Sequence, residues 1–227
     1  MSHHSRIDPL KKPTLASMVA DRLRDLIFQG SIRPGEQLNE VELASRFGVS
    51  RGPIREAVRQ LAHDGLLRSE PHHGVFVPML SNEDISDIYQ AREAIETAAV
   101  KAIFSSGRNV AVGSGLGKLA QTMHRAVTAG ESPRVADLDT RFHSELVRST
   151  GSPRLSRMHG ALMDETRIVL RLAMSDSLRL KMVNTHVEVA ELLESGDLHG
   201  TLEALTRHFE DSVRIRIHKP STADGAA

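Results

Sequence analysis

Apolar residues recur every three to four positions over most of this chain of 227 residues, which is the period of an amphipathic helix. Three such runs lie near the N-terminus. They follow Thr14, Asn39 and Ser50, residues whose side chains can accept a hydrogen bond from the first backbone N–H groups of a helix. The third run ends at Gly65, a natural helix stop. The pattern therefore predicts three helices before residue 66, with the segment SIRPGEQL as a turn between the first two.

The helical period breaks once, near residue 70. The short apolar-rich runs LLRSE and VFVPM flank the turn segment PHHG, which predicts a β-hairpin. Beyond Met79 the helical period returns, and breaks at Gly, Pro, Ser and Asp residues separate six further predicted helices, at about 82–104, 113–129, 133–149, 153–174, 178–195 and 198–218. We expect a mainly α protein: a winged helix-turn-helix over 10–79 (three helices plus a hairpin wing), an all-helical bundle over 80–218 and a flexible tail over 219–227.

Composition adds an expectation about where in the cell the protein is found, and it does not change the predicted fold. The chain has no cysteine, which excludes disulfides and thiolate metal sites. It has no apolar run near the roughly 20 residues that span a bilayer, and its first residues lack the apolar centre of a signal peptide. We expect a cytoplasmic protein without a membrane partner. Net charge is zero, and residues 1–80 hold 11 Lys/Arg against 9 Asp/Glu, so bulk charge does not identify a partner.

The third predicted helix carries three arginines on one face. Arg51, Arg55 and Arg59 follow each other at intervals of four. A cation in the first turn is unfavourable for the helix dipole, so Arg51 is not explained by helix stability, whereas a guanidinium fork fits guanine or phosphate. Gly52 leaves room for the backbone to approach DNA. The alternative is a solvated basic face on an ordinary helical hairpin.

Three histidines and one aspartate have a spacing that fits a metal site. Asp139 and His143 are four apart and share a helix face. His186 and His208 lie at similar distances on either side of the turn at Gly196, so they are level in an antiparallel helix pair. With a third helix alongside, the four would form a site for Zn, Ni, Mn or Fe with open coordination positions. The alternative is surface hydrogen bonding. We expect the histidines at positions 124, 159, 199 and 218 to have no such partners.

Arg92 interrupts the apolar stripe of the fourth predicted helix. A charge on a buried stripe is costly unless it is paired. Glu96, four residues later, is one candidate partner, and the carboxylate of a bound ligand is the other.

The stretch LRDLIFQGSIRPGEQLNEVELASRFGVSRGPIREAVRQLAHDGLLRSEPHHGVFVP closely resembles the DNA-binding domain of the GntR family of bacterial regulators. The remainder is similar to the FCD-type sensing domain of the family's FadR-like branch, in particular the shorter VanR-like subgroup. The two resemblances cover nearly all of residues 14–218. They imply a DNA-binding regulator, and a homodimer on a palindromic operator is our main hypothesis.

The resemblance also implies roles for residues. Ser50, Arg51 and Arg55 would contact DNA, and the wing tip at His73 and Gly74 would enter the minor groove. Gly52 stands where many relatives have Thr, so the operator sequence of a relative does not transfer.

The segment DTRFH at 139–143, with His186 and His208 after it, resembles the FCD metal motif and implies one divalent ion per chain. We expect the effector to be a small carboxylate held between this metal and Arg92, and its binding to release a repressor from DNA. Two other classes stay open: a metalloenzyme, although no general base is evident, and a nucleoid-type DNA-binding protein without a ligand.

Overall fold

The computed structural model describes residues 13–71, 73–170 and 176–217. The predicted tail at 219–227 and the end of the predicted helix at 153–174 lie outside the described residues, as does His218. The chain divides into two compact units between Pro78 and Met79. None of the helices in the described residues combines the length and apolar character that crossing a membrane requires.

The first unit contains three helices and a small sheet. Its elements are α1 (Leu15–Phe28), β1 (Gln37–Leu38), α2 (Glu40–Phe47), α3 (Arg51–His63), β2 (Arg68–Glu70) and β3 (Gly74–Phe76). The Thr14 hydroxyl accepts from the Ser17 N–H, and the Asn39 side chain accepts from two N–H groups of α2, as expected for caps. Ser50 occupies the N-cap of α3, but its side chain makes no capping hydrogen bond, contrary to expectation.

The predicted hairpin is confirmed, and the sheet has one more strand than the sequence pattern suggested. The strand order is β1-β3-β2, with both neighbours antiparallel to β3. We expected Gln37 and Leu38 in a turn, but they pair with Phe76 and Val75. A strand of two residues is too short to show alternation of apolar and polar positions, so its pairing partner and not its sequence reveals it.

The apolar face of α3 packs against α1 and forms the centre of this unit. Ile54, Val58 and Leu61 are buried on one side of α3, and α1 contributes buried residues such as Leu23. Burial of this stripe fixes the rotation of α3, so the remaining face, with its arginines, points to solvent.

The second unit is all-helical in the described residues, which confirms the predicted bundle. Its helices are α4 (Asn82–Ser105), α5 (Asn109–Thr128), α6 (Ser132–Arg148), α7 (Pro153–Leu170), α8 (Asp176–Ser195) and α9 (Leu198–Ile217). A capping box at Ser81 and Asp84 begins α4. The core contains Leu116 and Met123 of α5, Phe142 of α6 and Phe209 of α9.

Helix α5 begins four residues before the predicted start at 113, and its first residue contacts α8: the Asn109 side chain donates to the carbonyl of Leu193 at 3.2 Å. Gly113 lies so near that helix that an added Cβ would be 2.4 Å from the backbone nitrogen of Glu194. Glycine disfavours a helix in isolation, and here the close approach of the two helices outweighs that preference.

Candidate nucleic-acid interface and metal centre

The three arginines on α3 lie on its exposed face. The side chains of Arg51 and Arg55 are about half exposed, at 54% and 52%, and Arg59 is also exposed. Gly52 is exposed as well, and no atom lies within 4 Å of the position where a Cβ would stand. Ser50 is exposed at the start of the helix. The surface these five residues form can reach the bases and phosphates of a DNA duplex.

Glu40, at the start of α2, holds the first two arginines together. Its Oε2 lies 3.0 Å from Nε of Arg55 and 3.9 Å from NH2 of Arg51. Sequence reasoning overlooked this residue, because the contact joins two helices whose relative orientation the sequence does not show. The carboxylate keeps both guanidinium groups on one side of α3 without burying them.

Strand β1 supports the wing. The side chain of Gln37 donates to the carbonyl of His73 at 2.7 Å, and a Cβ at residue 74 would lie 2.5 Å from Nε2 of Gln37. Gly74 has φ +105°, which favours glycine. His73 and Gly74 are both exposed, as a wing tip that enters a groove requires.

The structure brings together three of the four predicted metal ligands in the core of the bundle. His143 of α6, His186 of α8 and His208 of α9 each offer a ring nitrogen, and these nitrogens lie within 4.8 Å of one another. The three residues are 1%, 1% and 3% exposed. Burying three imidazole rings is unfavourable unless their nitrogens have hydrogen-bond partners or bind a metal.

Each Nδ1 of the three rings already has a partner. Nδ1 of His143 lies 2.6 Å from the carboxylate of Glu96, and Nδ1 of His186 lies 2.8 Å from the carbonyl of Met182. Nδ1 of His208 lies 2.7 Å from the hydroxyl of Thr185, whose own proton goes to the Met182 carbonyl. All three acceptors require a protonated Nδ1. In a neutral ring this leaves the Nε2 lone pair free to bind a metal.

The fourth predicted ligand, Asp139, lies at the edge of the cluster. Its Oδ1 is 3.2 Å from Nε2 of His186, and the same nitrogen is 3.1 Å from Nε2 of His143. Two ligand atoms about 2.1 Å from one ion, at an angle of about 90–110°, are about 3.0–3.4 Å apart. Each of these two distances is one that two ligands of a single divalent ion show, while only the three histidines form a group whose ligand atoms all lie within 4.8 Å of one another. The donor set of imidazoles and a carboxylate suits a transition metal.

Glu96 is the centre of the polar network behind the histidines. Its Oε1 accepts from Nε and NH2 of Arg92, at 3.3 and 3.2 Å, and lies 2.9 Å from Nε2 of His159. The expectation that the histidines at 159 and 199 have no partners is therefore wrong, since His199 also lies 3.3 Å from the carboxylate of Glu203. His159 comes from α7 and Glu96 from α4, so only the packing of those two helices reveals the contact.

Arg92 is buried and has neighbours besides Glu96. It is 1% exposed, and its guanidinium carbon lies 5.1 Å from the ring centre of Tyr89 and 5.2 Å from that of Phe209. The structure thus contains the Arg92–Glu96 pair that the sequence left as one of two alternatives. Contact between Arg92 and a ligand stays a prediction.

Electrostatics keep the cluster in the protonation states that a metal needs. Burial lowers the pKa of His143, and burial with the neighbouring His186 lowers the pKa of His208 well below its ordinary value. Burial alone would raise the pKa values of Glu96 and Asp139. The contacts of Glu96 with His143 and Arg92, and of Asp139 with His186, outweigh burial and hold both values well below normal. Neutral imidazoles and ionised carboxylates are ligating forms.

Comparisons with known proteins agree with both halves of this description. The model for bacterial regulatory proteins of the gntR family matches residues 15–77, and the FCD domain model matches residues 87–211. The chain is 30% identical over 217 residues to the "Probable D-xylose utilization operon transcriptional repressor" of Paenarthrobacter nicotinovorans, covering 96% of this chain and 95% of that one. It is 27% identical over 208 residues to the gluconate operon transcriptional repressor of Bacillus licheniformis, covering 89% and 85%.

Among solved structures, a GntR transcriptional regulator from Rhodococcus sp. RHA1 superposes with a TM-score of 0.74 at 26% identity. The match covers 88% of this chain and 95% of that one.

Proposed function

Because this chain belongs to the GntR family of bacterial transcriptional regulators and carries an FCD domain, we propose that it is a repressor that binds a palindromic operator as a homodimer. A small organic acid bound in the helical unit would release it from DNA. Relatives described as repressors support the direction of control. We also propose that the protein is a member of the VanR-like subgroup and that it is cytoplasmic. The family makes the chain a regulator and not a metalloenzyme.

The exposed face of α3 carries the proposed reading of DNA. Arg51 and Arg55 would contact bases, with Ser50 and Gly52 beside them and Arg59 on the phosphate backbone. His73 and Gly74 would place the wing in the minor groove. The observation that carries this proposal is that all seven residues are exposed, while the opposite face of α3 is buried.

Selection from a library of random DNA duplexes tests the proposal without knowledge of the operator. We expect the wild-type protein to enrich a palindromic sequence. Arg51→Ala should lose about 1–3 kcal/mol of discrimination at one base position per half-site. Arg59→Ala should weaken binding to all sequences evenly and reduce the salt dependence. Arg125→Ala, an exposed arginine of the helical unit, is the charge-matched control. An unchanged motif for Arg51→Ala would refute the assignment.

We propose that one divalent ion per chain binds Asp139, His143, His186 and His208. The protonated Nδ1 atoms carry this proposal, because they leave the Nε2 lone pairs of His143 and His186 facing each other at 3.1 Å. Two lone pairs at that distance repel, and a cation between the ligands removes the repulsion. Zn, Ni, Mn and Fe all suit the donor set.

Elemental analysis of the purified protein tests for the metal, with about one ion per chain as the expected result. His186→Ala and His208→Ala should each lower the metal content, and His124→Ala, at an exposed position, should not. A strong chelator should lower the melting temperature, since metal binding is coupled to folding. A protein that is free of metal and indifferent to added metal would contradict the proposal.

The proposed effector is a small organic acid that contacts the metal and a guanidinium group, for which the sequence offers Arg92. The burial of Arg92 supports the proposal, because a charge-assisted hydrogen bond is strong where solvent is excluded. The Arg92→Ala variant should still bind DNA. In a thermal-shift screen, however, an acid that raises the melting temperature of the wild type should no longer raise that of Arg92→Ala. Glu96 cannot serve as the silent control, because it also binds His143 and His159. Arg125→Ala serves instead, and a normal response of Arg92→Ala would make Arg92 structural.

A further inference from the structure

A cavity in the helical unit borders the proposed metal site, because Asp139 and His186 line it. The space between its walls, which includes some open solvent, is about 420 Å³. Most of the remaining wall is apolar: Met123, Val135, Ala136, Leu170, Met182 and Val183. Arg179 and Arg216 are the basic residues that line it. The cavity therefore combines a mostly apolar wall with a few charged and polar side chains.

Arg216 has an unused hydrogen-bond donor at this cavity. The residue is 8% exposed, its NH1 donates to the Ser212 carbonyl at 3.0 Å, and its guanidinium carbon lies 5.4 Å from the ring centre of Tyr89. Its Nε is buried and has no hydrogen-bond partner among the described residues. A buried N–H of a charged group without an acceptor is unfavourable, so the site is suited to a ligand that supplies one.

We infer that Arg216 binds the carboxylate of the effector, and that the effector is an acid with an apolar body and not a polyhydroxylated one. This inference rests on the proposed function and names its ligand class. A carboxylate oxygen supplies the acceptor that Nε lacks, and the charges are complementary. The apolar wall then covers the rest of the molecule. Hydroxyl groups placed against that wall would lose their hydrogen bonds to water without replacement.

Arg216 lines this cavity, whereas Arg92 is not among the described residues of its wall. The guanidinium of Arg92 is bonded to Glu96, whereas Arg216 has no carboxylate within salt-bridge distance in the described part of the chain. The two positions therefore separate in an experiment. Loss of Arg216 should weaken ligand binding while the network around Glu96 and His143 stays intact.

Hexanoate, gluconate and hexanamide, added to the full-length protein, test the inference. Hexanoate and gluconate have the same carbon-chain length, and hexanamide lacks the negative charge. We expect hexanoate to raise the melting temperature, and gluconate and hexanamide to raise it much less, because a ligand bound to the native state stabilises it. Equal shifts for hexanoate and gluconate would overturn the apolar ligand class.

Substitutions at Arg216 test the residue itself. Arg216→Met and Arg216→Lys should each weaken hexanoate binding about 10–100-fold, since lysine keeps the charge but lacks the Nε–H. Arg214→Met, on an exposed arginine of the same helix, should bind hexanoate as the wild type does. The melting temperature without ligand reports whether each variant folds. If Arg216→Met fails to fold, Arg216→Lys still tests the role of the residue.

The outcomes separate the inference from the function it rests on. If hexanoate stabilises the wild type and both Arg216 variants equally, the assignment of Arg216 is wrong and the acid-responsive function survives. If neither hexanoate nor any other acid of the thermal-shift screen raises the melting temperature of the wild type, the acid effector itself is refuted.

Discussion

Glu96→Gln should destabilise the helical unit more than any single loss of a surface contact. The carboxylate is 0% exposed and accepts hydrogen bonds from Arg92, His143 and His159. A glutamine of the same size removes the charge, turns one acceptor into a donor and leaves the buried guanidinium of Arg92 without its counter-ion. Breaking a buried ion pair from one side costs about 3–5 kcal/mol, and we expect the free energy of unfolding to fall by that amount.

Urea unfolding followed by circular dichroism measures this change, and Glu93→Gln on the same helix is the matched control. The Glu93 side chain accepts a hydrogen bond from Thr206 at 2.7 Å, which an amide oxygen can retain, so we expect a loss below about 1 kcal/mol. Metal affinity is a second readout. Glu96 orients His143 through Nδ1, and loss of such a partner lowers metal affinity by about 10–100-fold. Equal stability of the two variants would refute the reasoning.

Two further predictions concern packing and pH. Gly113→Ala should destabilise the protein by about 1–3 kcal/mol in urea unfolding, because its Cβ would lie 2.4 Å from the backbone nitrogen of Glu194. Gly52→Ala has open space around the new Cβ and should raise the free energy of unfolding by about 0.5–1 kcal/mol, because alanine favours a helix more than glycine does. A lower free energy of unfolding for Gly52→Ala would contradict this reasoning. Partial burial, together with Asp84 and other acidic neighbours, raises the pKa of Glu165 to about 7, so its contribution to stability is present at acid pH and is lost as the pH rises from about 4.5 through 7. Glu165→Gln should therefore stabilise the protein at pH 8, by about 1 kcal/mol after allowance for solvent screening, and have little effect at pH 4.

The sequence predicted those features that depend on one helix or on two consecutive helices. Helical spacing placed Asp139 and His143 on one face, and the helix rise placed His186 level with His208, which the structure brings together. The packing of α4, α6 and α7 determines which residues lie behind the histidines. His159 therefore looked unpartnered until that packing placed it beside Glu96.

Features set by tertiary contact were not evident in local patterns. The strand at Gln37 exists because β3 offers a partner, and the first residue of α5, Asn109, bonds to the Leu193 carbonyl of α8. Arg216 lies in the last turn of α9, where an arginine is ordinary for the helix dipole. Only the tertiary structure shows that Arg216 lines a cavity and that its Nε has no partner in the described part of the chain.

We propose that acid binding in the helical unit weakens DNA binding by the first unit, and one titration tests this coupling. An operator duplex from the selection experiment is titrated with the protein, with and without the acid that stabilises the protein most, and the dissociation constant is read by fluorescence anisotropy. We predict weaker operator binding with the acid and, by reciprocity, weaker acid binding with the operator. An acid that raises the melting temperature but leaves the operator affinity unchanged would contradict the account, since such a ligand does not distinguish the two states.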